Sequence, residues 1–94
     1  MSSEADRRTA QEAVAAYHEA ELARLVEGVG EAIDGFRSGK LDAFAVDEAF
    51  FQYSRAAREL WKFCNSRSVD LTVSLIIGNR PSIDWWERGA LRKR

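Results

Sequence analysis

Proton transfer, nucleophilic attack and metal binding draw on histidine, cysteine and clustered carboxylates, and this sequence supplies them thinly. It holds one histidine, His18, and one cysteine, Cys64, so an internal disulfide is impossible and a Cys/His metal cluster has no ligand set. Both single residues read as structural. Its 15 Asp and Glu side chains are abundant, but a catalytic pair needs a concave, pKa-shifting environment of which the sequence gives no sign. There is no glycine-rich phosphate loop, no Gly-x-Ser-x-Gly elbow and no His-Glu-x-x-His helix. The expectation is a chain with no catalytic residues, no metal and no cofactor: not an enzyme.

The side chains that do cluster are suited to contact. Phe44 and Phe51 lie seven residues apart, which on a helix puts them on one face, together with Arg55, Arg58 and Lys62. Trp85 and Trp86, two of the three tryptophans, stand between Asp84 and Glu87 and are followed by Arg88. Tryptophan and arginine are enriched among the residues that anchor protein interfaces. Phe44, Phe51, Arg55, Arg58, Lys62, Trp85, Trp86 and Arg88 are therefore the candidate partner-binding residues.

The elements that must position them follow from periodicity. Val14, His18, Leu22, Leu25, Val29, Ile33 and Phe36 recur at intervals of three and four, widened by Val26, and oppose Glu27, Glu31 and Asp34. That is a long helix with one wet side, and Thr9 to Glu12 has the spacing of a capping box at its start. Gly28, Ala32, Gly35 and Gly39 form a ridge of small residues beside the stripe. The ridge either lets another helix, from this chain or a partner, approach closely, or marks a kinked end before the turn at residues 38–40.

A second helix is expected from Asp42 or Asp47 to Cys64, with Val46, Phe50, Tyr53, Ala57, Leu60, Trp61 and Cys64 in one core-facing sector and the Phe44/Phe51 face outside it. That outer face has either the C-terminal segment or a separate molecule to touch. Residues 69–77 alternate like a strand, yet a lone strand leaves its backbone groups unpaired. A buried helix in the groove of the first two is the preferred reading, with a strand as the alternative. Ser82 then caps a short final helix with Asp84 in its first turn and Asp84 to Arg88 in the favourable acid-to-base order. On such a helix the two indoles point about 100° apart. One is expected to latch the tail to the body, where burying roughly 200 Å² of ring stabilises by up to ~5 kcal/mol. The other either wraps the same body or anchors a partner.

The fold class expected is all-α: two long antiparallel helices, a shorter buried third segment and a short C-terminal helix, in one small domain over residues 1–94 with mobile ends at 1–8 and 90–94. A core of this size gives a stability of only about 3–5 kcal/mol, so help from a partner chain fits. The net charge of −1 divides unevenly. Residues 1–48 carry five basic and eleven acidic side chains, and residues 49–94 carry nine basic and four acidic. A split chain of this kind can pair its halves or offer one to a partner of opposite sign. No apolar run is long enough to cross a bilayer and the N-terminus is not signal-like, which points to the cytoplasm and away from membranes. Weak nucleic-acid binding by the basic C-terminal half is a lesser alternative, opposed by the acidic balance and the lack of a helix-turn-helix or ribbon pattern.

These features describe a small protein-interaction module. The aromatic middle "DEAFFQYSRAARELWKFC" and the ending "IDWWERG", in a short acidic-then-basic chain, resemble in general character the small bacterial antitoxins of type II toxin–antitoxin pairs. The resemblance implies a partner protein, a toxic enzyme encoded beside it, blocked by direct binding over its active site. It covers most of the chain but matches no residue-specific motif. The chain departs from the commonest antitoxins in lacking a recognisable DNA-binding N-terminal domain, which puts autoregulation in doubt. The alternative is a homodimeric structural or adaptor protein, a homo-oligomer whose acidic and basic halves complement one another about a symmetry axis.

Overall fold

The structure, a computed structural model, describes residues 4–65, Thr72 and residues 83–91. The fold is all-α. Helix α1 runs Glu4–Arg37, α2 runs Ala43–Asn65 and the short α3 runs Trp85–Arg88. Among the described residues there is no strand. Apart from Thr72, the stretch 69–77 lies outside them. Thr72 itself is helical and fully buried, and its hydroxyl has no hydrogen-bond partner.

At 34 residues α1 is about 51 Å long, half as long again as α2. Its first turns, Glu4 to Thr9, are exposed. The capping box expected at Thr9 does not form. The helix starts five residues earlier, and the Thr9 hydroxyl donates back to the carbonyl of Ala5 at 2.9 Å, as a threonine inside a helix does. Residues 4–8, expected at a mobile end, are part of that helix.

The turn between α1 and α2 is set by its sequence. Gly39 takes φ +83°, and the amides of Lys40 and Gly39 donate to the carbonyls of Gly35 and Phe36 at 2.8 and 3.1 Å. That is a Schellman ending, which glycine permits because it has no Cβ to clash. Asp42 then caps α2, its Oδ1 accepting from the Ala45 amide at 2.9 Å, one of the two starts the sequence offered.

The core lies where α1, α2 and α3 meet, around Val14, Leu25, Ala56, Leu60, Cys64 and Trp85. On α1 the stripe is centred as expected, though Val26 and Phe36 at its margin are half exposed. On α2 the buried sector is turned away from the expected one. Ala49, Ala56, Leu60 and Cys64 are buried, whereas Phe50 and Trp61, expected in the core, are 47% and 58% exposed. The cause is steric. Small Ala56 lets α3 approach the α2 backbone closely at Gly89, and close packing outweighs putting the largest rings at the centre.

Candidate functional site

Two aromatic groups invite a functional reading, and the fold treats them oppositely. The first is the Trp85–Trp86 pair. Asp84 caps α3, its Oδ1 accepting from the Glu87 amide at 3.1 Å. The cap is thus Asp84 rather than Ser82, and Asp84 lies just outside the helix instead of in its first turn. Trp85 points inward and is 3% exposed. Its Nε1 donates to the Tyr17 hydroxyl at 3.0 Å, and its ring centroid lies 5.4 Å from that of Phe63, tilted by 55°. A buried indole N–H with a partner and an edge-tilted ring neighbour is a well-satisfied core position.

Trp86 is half-buried on the other side of α3. Its ring lies so close to Gly28 that a Cβ there would stand 2.9 Å from ring carbons. The small-residue ridge of α1 therefore serves the chain itself: Gly28 admits Trp86, and Gly35 admits Leu41, with a Cβ placed 2.8 Å from a Leu41 methyl. On α2 the approach is closer still. A Cβ on Gly89 would stand 2.7 Å from the Ala56 nitrogen. Gln52 Nε2 donates to the Trp86 carbonyl at 2.8 Å, and Arg55 Nε donates to the Gly89 carbonyl at 2.5 Å.

Several residues of the candidate set already have contacts within the chain. Arg55 is held by the Gly89 carbonyl and by Glu48, 2.6 Å away. The Arg88 guanidinium lies 5.4 Å over the Trp85 ring, a cation–π contact in place of the expected pair with Asp84. Trp85, Arg55 and Arg88 thus belong to the latch, and Trp86 is largely spent on it.

The second group stays outside. Phe44 is 85% exposed and Phe51 54%. Arg58 and Lys62 are exposed beside them, with Lys62 3.5 Å from Glu59. Trp61 and Phe50, which periodicity assigned to the core, join this exposed surface, and the signal that would have found them is the run of alanines at 49, 56 and 57 marking the side where neighbours come close. Next to it Phe36, Ala43, Val46, Asp47 and Phe50 line an open groove of about 250 Å³. α2 is consequently a helix with an alanine-rich inner side and an aromatic outer side.

Burial pushes the Cys64 thiol up to about 11, so near neutral pH it is a protonated core group, not a nucleophile. Burial also raises Tyr17, partly opposed by its bond from Trp85. Among the described residues no group of His, Cys, Asp and Glu is placed to hold a metal, and no helix is long and apolar enough to cross a membrane. Compared with protein families, characterised proteins and solved structures, the chain matches none of them.

Proposed function

We propose that this chain is a cytoplasmic protein-interaction module, of the antitoxin kind, that binds a partner enzyme and restrains it by covering its active site. The observation that carries the reading is the outer side of α2, where Phe44, Phe51 and Trp61 are each more than half exposed. Large apolar rings grouped on one exposed face mark docking surfaces, and flanking arginines and lysines give such a surface orientation and reach. The latch supports it from the other side: α3 satisfies its own tryptophans against the body, so the rings left outside are not waiting for this segment. On α1 the acidic row Glu27, Glu31 and Asp34 is exposed and supplies the negative charge with which such an inhibitor imitates phosphates toward a basic catalytic pocket.

The test is to purify the tagged chain with whatever enzyme accompanies it in stoichiometric amount, and to assay that enzyme with and without the chain. Inhibition that is lost in Phe51→Asp, with the variant's melting curve unchanged, supports the reading. An enzyme whose activity ignores the chain overturns it. A self-associating adaptor is the second reading, favoured by the order of residues along the same face.

A further inference from the structure

Along the outer side of α2, Phe44, Asp47, Phe51, Ser54, Arg58 and Trp61 follow one another at intervals of three, four, three, four and three. This is the spacing at which one helix meets another along a seam. All six are exposed, and α3 holds α2 by Gln52, Arg55 and Ala56, which are not among them. The seam is about 26 Å long.

Its order has a hidden symmetry. A two-fold axis crossing α2 midway between Phe51 and Ser54 sets each residue opposite the one equally distant from the axis on a second helix. Phe44 then faces Trp61, Asp47 faces Arg58, and Phe51 faces Ser54, each twice. We infer that the occupant of this face is a second copy of the chain, with its α2 packed antiparallel along the Phe44–Trp61 seam. The inference rests on reading the outer side of α2 as a protein-docking surface: the second copy covers it when the chain is alone, and a partner enzyme that docks there displaces that copy.

Three observations favour a second copy. The charges complement themselves only in the antiparallel sense: acid meets base at both Asp47–Arg58 positions, whereas a parallel pairing in register sets Asp47 on Asp47 and Arg58 on Arg58. Polar residues at seam positions are the usual means by which paired helices choose orientation and register. The large rings occupy the two ends, so each exposed Phe44 is covered by an indole and each exposed Trp61 by a phenyl ring. The exposed parts of Phe44, Phe51 and Trp61 amount to about 400 Å² of apolar surface per chain. Doubled and given a polar rim, that approaches the ~1,200 Å² at which specific interfaces begin. The groove by Phe36 and Phe50 borders the seam at Asp47, and the acidic row of α1 stays outside it.

The test is a charge swap read by sedimentation equilibrium. The unaltered chain is expected at the mass of two 10.6 kDa chains. Arg58→Asp alone, and separately Asp47→Arg alone, are expected to raise the dissociation constant on the order of 100-fold, because each change sets like charges together twice per dimer. The double variant Asp47→Arg/Arg58→Asp restores opposite charges and is expected to restore the dimer. Each variant's helical circular dichroism and melting curve are recorded beside it, and two single variants guard against one of them failing to fold. A mass of one chain at high micromolar concentration overturns the inference, and so does a dimer indifferent to both single changes or unrecovered by the swap. A monomer whose Phe51→Asp variant still loses its enzyme partner leaves the proposed function standing, so the two failures are told apart.

Discussion

The C-terminal latch and the outer side of α2 are built from the same residue types, aromatic rings beside arginines, yet one is interior and the other surface. The difference lies in what each ring finds opposite it. Trp85 meets a hydroxyl for its N–H at Tyr17, a tilted ring at Phe63 and a guanidinium at Arg88. Trp86 meets Gly28, where the missing side chain leaves room for an indole. Phe44, Phe51 and Trp61 have Asp47, Ser54 and Arg58 spaced between them and, among the described glycines, none against them. An aromatic residue is consumed by a fold where small and hydrogen-bonding neighbours are supplied, and is left for contact where they are not.

Substitutions break or sharpen this contrast. The largest expected effect is Trp85→Ala, which removes a buried ring and strands the Tyr17 contact. A loss of about 3–5 kcal/mol is comparable to the whole stability of so small a domain, so thermal unfolding followed by circular dichroism should show a collapsed or absent transition. A variant melting close to its parent would move Trp85 to the contact surface. Next comes Gly89→Ala. The backbone there is ordinary, with φ −84°, so the obstacle is space: the added carbon enters the Ala56 backbone, and overpacking of this kind destabilises by about 1–3 kcal/mol. A neutral or stabilising result would mean that α3 stands further from α2 than described.

Tyr17→Phe tests the polar side of the latch. It leaves the packing and deletes the oxygen that accepts from Trp85, for an expected loss of about 1 kcal/mol, read as a shift in the urea midpoint with an unchanged slope. The smallest effect on folding is expected at Phe51→Asp, within about 0.5 kcal/mol of the parent at concentrations too low for the seam to close, because more than half of the residue is exposed in the single chain. A large loss of stability there would show that the outer side of α2 is covered by the chain itself, and the two regions would cease to differ.

Much of this architecture was legible in the sequence because helices announce themselves locally. The three-and-four spacing from Val14 to Phe36, the cap at Asp42 and the glycine at 39 each depend on residues within a turn or two of one another, whereas which tryptophan turns inward depends on distant Tyr17 and Phe63. The rotation of α2 was not legible, since it is decided by which neighbours come close. Ala56 is one alanine among several until the backbone of Gly89 is set against it, and only then do Phe50 and Trp61 turn outward. The contacts of Arg55 and Arg88 were not legible for the same reason: both touch groups supplied by tertiary contact or by the short final helix, the Gly89 carbonyl and the Trp85 ring. Thr9 misled because its capping pattern competes with a helix that simply begins earlier. The choice between helix and strand for residues 69–77 lies outside the described residues, save that Thr72 is helical.

The contrast between the two regions can be read in one experiment, because each of the three indole N–H groups reports on one side of it. Their NMR signals, assigned by single Trp→Phe changes, are followed as the chain is concentrated from the low to the high micromolar range. The account predicts that the Trp61 signal moves as the seam closes while those of Trp85 and Trp86 stay where they are. Movement at Trp85 or Trp86 with Trp61 unmoved would contradict it, placing the contact surface on the C-terminal segment and the outer side of α2 in the role of bystander.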